Sequence, residues 1–290
     1  MAISVRPLSD DDLPAVLALL LPTEERSTFL VGNARGSGIT DRGGHVNGLW
    51  LGAFAGDRLA GVVAHARGPN SLLVATFGHA GPLLAEAARR GCSPSMVLGT
   101  SDRVDEAVAA LPASWRVTRR GRETLMVLRW PDYRPPAPVD ANVAPLPPER
   151  ADEAALVLDV LSRESGMPRD EEANRAVAKR LAKDGSAVVA ILGGRVVSIS
   201  SVAASTGRFV HVGATATHPD ARRRGLAGAC VAGVLDRARA GGRATVGAVL
   251  FTGEDNVAAK TLYERLGFRC ETAFEVCLLA TDAARAPPPG

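Results

Sequence analysis

Apolar and polar positions alternate along ISVRP (3–7), which predicts a short strand. Asp10 to Asp12 then open the helically spaced run LPAVLALLLP, as acidic residues favour a helix start. GLWLGAFAGDRLAGVVAHA (48–66) reads as two apolar strands around a tight turn at AGDR, and SLLVATFG as a further strand. A helix, the strand SMVLGT, a second helix and the strand ETLMVLRW follow. The same order returns later. ANVAPLPPERADEAALVLDVLSRE predicts a short strand and an acidic-start helix, and SAVVAILGGRVVSISSVAAS (186–205) a hairpin turning at GGR. FVHVGATAT, a helix, ATVGAVLF, another helix and FEVCLLA complete it.

Between the two series lies WPDYRPPAPVDANVAPLPPER (130–150), whose seven prolines favour extended backbone and mark a boundary. The expected organisation is an α/β fold with a mixed sheet, present twice. The first domain spans 1–132, a proline-rich linker 133–148 and the second domain 149–290, with a disordered proline-rich tail. Identity between the halves is low, so the repeat rests on the order of elements.

Composition narrows the function. Apolar residues make up 46% and charged residues 22% of 290, an ordinary globular balance. The net charge of +3 is too small to coat nucleic acid by charge alone, and neither nucleic acid nor membrane is an expected partner. No basic segment followed by an apolar one opens the chain, and the longest apolar run is too short to cross a bilayer. Cys92, Cys230, Cys270 and Cys277 form no CxxC pair or zinc-like spacing. They read as reduced thiols of a cytoplasmic protein, with no metal site expected.

The chemistry concentrates in THPDARRRGLAGACVAGVLDRA (217–238). A strand stops at Pro219, and after Gly225 the positions Leu226, Cys230, Val231, Val234, Leu235 and Ala238 fall on one helix face. Arg222, Arg223, Arg224 and Gly225 thus form a turn between strand and helix. Small residues at Gly225, Ala227 and Gly228 allow close approach to the backbone, and the first helical N–H groups favour an anion such as pyrophosphate. A solvated surface loop is the plain alternative. No GxGxxG opens this helix, which argues against a dinucleotide site.

Arg222-x-x-Gly225-x-Ala227 resembles the R/Q-x-x-G-x-G/A signature of the GCN5-related N-acetyltransferases (GNAT). Downstream, EDNVAAKTLYERLGF resembles that family's N-x-x-A-x-x-x-Y-x-x-x-G-F segment at Asn256, Ala259, Tyr263, Gly267 and Phe268. The resemblance covers about Ala141 to Ala280. It implies tandem GNAT-like domains and acetyl-coenzyme A as cofactor. Arg222, Arg223, Arg224, Gly225, Leu226, Ala227 and Gly228 would hold the phosphates, and the backbone of Thr215, Ala216 and Thr217 the pantetheine, between splayed strands. Asn256 would approach the pantetheine or the amine, or cap a helix. Tyr263 would protonate the departing thiolate, unless it is only a core tyrosine. Relatives often carry a glutamate base on the strand before the loop; FVHVGATAT has no carboxylate. His211 on that strand and Glu164, beside Ser165, are the remaining catalytic candidates, and attack by an already neutral amine is another route.

The first half has GHAGPLLAEAARR where the loop should be, with no arginine before its glycines, and DRVDEAVAALPASW lacks the asparagine and the tyrosine. His45 and His79 read as turn residues. This half is therefore expected to be a degenerate domain without cofactor, giving one coenzyme A per chain. The expected function is acetyl transfer from acetyl-CoA to a primary amine of a small molecule, peptide or protein, in a ternary complex, by a monomer or homodimer. The alternative is a non-catalytic acyl-CoA-binding sensor or interaction module.

Overall fold

The computed structural model describes residues 3–166 and 170–281. The first series is β1 (Ile3–Pro7), α1 (Leu13–Leu20), α2 (Thr28–Ser37), β2 (Trp50–Ala55), β3 (Arg58–Ala66), β4 (Ser71–Ala75), α3 (Ala80–Arg89), β5 (Met96–Thr100), α4 (Ser101–Ala109) and β6 (Trp115–Arg129). The second is β7 (Asn142–Pro145), α5 (Ala151–Ser165), α6 (Glu171–Lys183), β8 (Ala187–Leu192), β9 (Arg195–Ser205), β10 (Gly207–Thr217), α7 (Leu226–Ala240), β11 (Ala244–Gly253), α8 (Val257–Arg265) and β12 (Arg269–Thr281). Helices and strands follow in the same order in both series, so the duplicated α/β architecture is real.

Local chemistry explains most elements. Gly193 and Gly194, both at positive φ, turn β8 into β9, with Leu192 opposite Arg195. The Asp170 carboxylate caps α6 by accepting the Ala173 N–H at 2.8 Å. α5 ends on Gly166 in the left-handed region. The α2 helix was not legible in its glycine-containing sequence, TFLVGNARGS; burial of Thr28, Leu30, Val31 and Ala34 holds it.

The chain divides into two compact units that are interleaved in sequence. One contains the described residues up to Leu125, Phe251–Asp255 and those from Cys270; the other contains Met126–Leu250 and Asn256–Arg269. In the first unit the strand order is β1-β2-β3-β4-β5-β12 and then residues 115–125 of β6, and β12 pairs antiparallel with β5 from Phe274–Thr100 to Leu278–Met96. In the second, the end of β6 (residues 126–129) precedes β11-β10-β9-β8-β7. The final strand of the second series thus completes the first unit, and the end of β6 joins the second. The stretch expected as a linker contains β7, which pairs with β8, so this part is an edge strand of the second unit. The proline-rich C-terminal tail lies outside the described residues.

Each unit buries its apolar side chains in several clusters. In the second, Val231, Val234 and Leu235 of α7, Tyr263 of α8, and Leu266 and Phe268 just after it pack onto Val188, Val210, Val212, Ala248 and Leu250. Another cluster gathers Ala154, Val157, Leu158, Ala178 and Leu181 of α5 and α6 onto Val189, Ile199 and Ala216. Both helix pairs are thereby fixed against the strands that carry the candidate site.

Candidate active site

The β10 and β11 strands run parallel, and their recorded ladder ends at the pair His211–Val249. The β10 strand continues to Thr217, paired there only with β9. Its register against β9 shifts between His211 and Val212 and again between Val212 and Thr215, irregularities of the kind that re-aim a strand. Gly213 makes the close approach possible, since a Cβ there would stand 2.9 Å from the Ala203 Cβ.

The β9 serines engage the β10 threonines. Ser200 Oγ lies 3.0 Å from Thr215 Oγ1, and Ser198 Oγ lies 2.8 Å from Thr217 Oγ1 while donating to the Ala216 carbonyl at 2.9 Å. These serines were not singled out in the sequence; the alternation in RVVSISS was their only signal. With the threonine side chains held by β9, the backbone of Val212–Thr217 is what β10 offers on the side that no strand of this ladder covers.

After Thr217 the His218 N–H bonds to the Val197 carbonyl at 2.8 Å, and a 3-10 turn runs over Pro219–Ala221. Arg223 and Gly225 then adopt positive φ, and Gly225 is the N-cap of α7 with no side-chain cap. Ala229 is the first residue of this helix start whose N–H has a backbone partner, Gly225 O at 3.0 Å. The N–H groups of 223–228 make no backbone bond among the described residues, and alternating backbone handedness followed by a helix start is a geometry that holds anions.

The structure changes the reason for the small residues. A Cβ at Gly225 would meet Val139 Cγ1 at 3.1 Å, and one at Gly228 would meet Leu262 Cδ1 at 3.1 Å. At these positions the missing side chains make room for the protein itself; at Gly225 the positive φ is a second requirement. Leu226 is buried against Ala190, Ala221 and Cys230, so its side chain anchors the turn and its N–H remains at the helix start. Ala227 is half-buried beside it.

The three arginines differ. Arg222 donates from Nε to the Thr217 carbonyl at 3.1 Å and from Nη2 to Glu164 Oε1 at 2.7 Å. Arg223 and Arg224 are exposed and enter no ion pair among the described residues.

Tyr263 is buried on α8, edge-on to Phe268 with centroids 5.8 Å apart. Burial raises its pKa above the ordinary tyrosine value, while a hydrogen bond with the Thr215 side chain acts in the opposite direction. The tyrosine thus lies close to a threonine of the expected pantetheine strand. Asn256 caps α8, its Oδ1 accepting the Ala259 N–H at 3.1 Å. His211 is fully buried, and burial lowers its pKa to about 3. It is neutral at ordinary pH and too weak a base to take a proton from an ammonium group.

In the first unit the corresponding strand-to-helix turn is Thr76–Ala80. The Glu106 carboxylate fills it, accepting from Thr76 Oγ1 at 2.8 Å, from the Gly78 N–H at 2.9 Å and from the Ala80 N–H at 2.7 Å. The place an anion would take carries the chain's own carboxylate. His79 is the N-cap residue of α3 without a side-chain cap bond, and the His45 carbonyl accepts the Gly68 N–H.

A separate cleft of about 190 Å³ lies at the far end of α7, lined by Ser186, Val188, Val202, Val234, Arg237 and Arg243 among others, and is not part of the turn. Among the described residues, no group of three His, Cys, Asp or Glu could hold a metal, and no helix is long and apolar enough to cross a membrane.

Residues 154–268 match the model of the acetyltransferase (GNAT) family. No curated protein matches the chain. Among solved structures, a tandem GNAT protein from the clavulanic acid biosynthesis pathway is 15% identical with a TM-score of 0.62, covering 99% of this chain and 100% of its own. A Drosophila protein is 18% identical with a TM-score of 0.67, covering 94% and 98%. A GCN5-related N-acetyltransferase from Sphaerobacter thermophilus is 18% identical with a TM-score of 0.62, covering 96% and 95%. At these identities the likeness is one of fold, and its near-complete coverage agrees with the tandem arrangement.

Proposed function

We propose that this chain, which carries a GNAT-family acetyltransferase domain over 154–268, transfers the acetyl group of acetyl-coenzyme A to a primary amine while both are bound. Acyl transfer in general follows from the family; the cofactor, the acceptor and the order of binding are our reading. One observation carries it: the β10–β11 ladder stops at His211–Val249, while β10 runs on to Thr217 and into a helix start whose N–H groups have no backbone partner. Coenzyme A, a thioester carrier with an extended amide arm and a pyrophosphate, fits an open strand edge followed by an anion cradle.

The cofactor supplies an activated acyl group when bound. The N–H groups of Arg223, Arg224, Gly225, Leu226, Ala227 and Gly228 would hold its phosphates, with Arg222 to Arg224 adding attraction. Backbone groups of Thr215, Ala216 and Thr217 would hold the arm, and Asn256 orients α8 from its cap. The Tyr263 phenol keeps its proton because it is buried, and that proton is available to a departing sulfur. No carboxylate lies on β10, and His211 is neutral and buried, so we assign it no proton transfer. Glu164 is paired with Arg222; we read it as a counter-charge that competes with phosphate for that arginine and assign it no proton transfer. The amine then enters neutral or loses its proton to water. The acceptor is a small-molecule, peptide or protein amine, and we place the reaction in the cytoplasm, carried out by a monomer or homodimer.

The missing base also supports a second reading, an acyl-CoA-binding module without turnover. Incubation with acetyl-CoA and a panel of primary amines, following the released thiol, separates them. Turnover supports the enzyme; tight binding without turnover across the panel supports the module.

A further inference from the structure

The segment Tyr133–Ala141 is proline-rich and is held at both ends within the second unit. Upstream, the Trp130 indole N–H donates to the Ala244 carbonyl at 2.8 Å, and the Arg134 N–H donates to the Leu266 carbonyl at 3.0 Å. Downstream, β7 pairs with β8 from Asn142–Ile191 to Pro145–Val188. Between these fixed points Pro135, Pro136 and Pro138 restrict the backbone, so the stretch is stiff.

This stretch lies against the phosphate turn. Val139 packs with Ala221, Leu226, Ala190 and Cys230, the residues that root the turn in the core. Its Cγ1 would stand 3.1 Å from a Cβ at Gly225, and Pro136 Cβ would stand 3.9 Å from one at Gly228. Residues 222–225 are themselves exposed, and the turn has no side-chain cap. Arg222 is tied to the Thr217 carbonyl and to Glu164, whereas residues 223–225 are flanked by Leu226 on one side and Val139 on the other.

We propose that Pro135–Ala141 is a strap built into the cofactor site, and that Val139 is a positioning residue that holds Gly225 in its left-handed conformation so that the N–H groups of 223–228 converge. The proposal rests on the reading that this turn binds coenzyme A. A turn left free to fluctuate must be ordered when the ligand arrives, and that entropy is subtracted from affinity. A propped turn is ordered beforehand.

The test is calorimetric titration of Val139→Ala with coenzyme A, with melting temperature and the kcat and KM for acetyl-CoA measured in parallel. The expected result is a Kd weaker by about fivefold to tenfold and a matching rise in KM, with kcat at saturation within about twofold of wild type. Val139→Ile restores the affinity. Pro136→Gly with Pro138→Gly loosens the strap without removing the valine and weakens binding in the same direction. A purely structural role lowers the melting temperature and leaves Kd unchanged in both variants; that result overturns the strap while the cofactor reading stands. Failure of the wild-type chain to bind coenzyme A overturns both.

Discussion

Glu164 Oε1, in the last turn of α5, accepts a hydrogen bond at 2.7 Å from Arg222 Nη2, at the first position of the phosphate turn. The guanidinium also holds the carbonyl of Thr217, where β10 ends. The two side chains are 54% and 43% exposed, so the pair contributes at most about 1 kcal/mol to stability. The pair also acts on an incoming anion, because the carboxylate competes with phosphate for Arg222. Glu164→Gln is expected to tighten coenzyme A binding about twofold to fivefold at low salt, with the melting temperature nearly unchanged. Weaker binding in a calorimetric titration would show instead that the ion pair is needed to present the arginine.

Tyr263→Phe removes one hydroxyl and keeps the ring that packs on Phe268. Loss of a general acid is expected to lower kcat by about 10²- to 10⁴-fold, while coenzyme A affinity changes little. A stopped assay of acetyl transfer alongside a binding titration checks both. Because burial raises the Tyr263 pKa, its acid form persists above the ordinary tyrosine value, and no loss of activity from this group is expected between pH 7 and 9.

His211 gives the fold a pH dependence. Its pKa falls from 6.5 to about 3 on burial, so the unfolded chain binds a proton that the folded chain refuses. Stability from this group is fully present above 6.5 and is lost as pH falls through that window toward 3. The limiting slope is about 1.4 kcal/mol per pH unit. Urea unfolding of wild type and His211→Asn between pH 6.5 and 5 should show the slope in the first and a flatter profile in the second. Parallel profiles would mean that His211 is protonated in the folded chain.

The Glu106 carboxylate closes the first unit's turn with three hydrogen bonds. Glu106→Ala strands the Gly78 and Ala80 N–H groups and is expected to cost about 1–3 kcal/mol, read as a lower urea midpoint. An unchanged midpoint would mean that water replaces the carboxylate at no cost.

What was legible in the sequence was local. Glycine and proline punctuation and the apolar periods of each segment placed the strands, hairpins and most helices, and RRRGLAG lay between strand and helix as expected. What was hidden depends on partners far apart in the chain. Glu106 reaches back to Gly78 from α4, past the intervening α3 and β5, and Glu164 meets Arg222 across 58 positions. No periodicity announces that Phe274–Leu278 will pair with β5, or that Val139 will rest on Gly225. Such contacts are decided by tertiary packing, which leaves no pattern at either end.

The central claim is that one unit binds coenzyme A and the other, filled by its own carboxylate, does not. Isothermal titration of the intact chain with coenzyme A tests it most directly. The account predicts saturable binding at one site per chain, abolished by Gly225→Glu, which puts a carboxylate and a strained side chain into the turn. Two equivalent sites, no binding, or undiminished binding in that variant would contradict it.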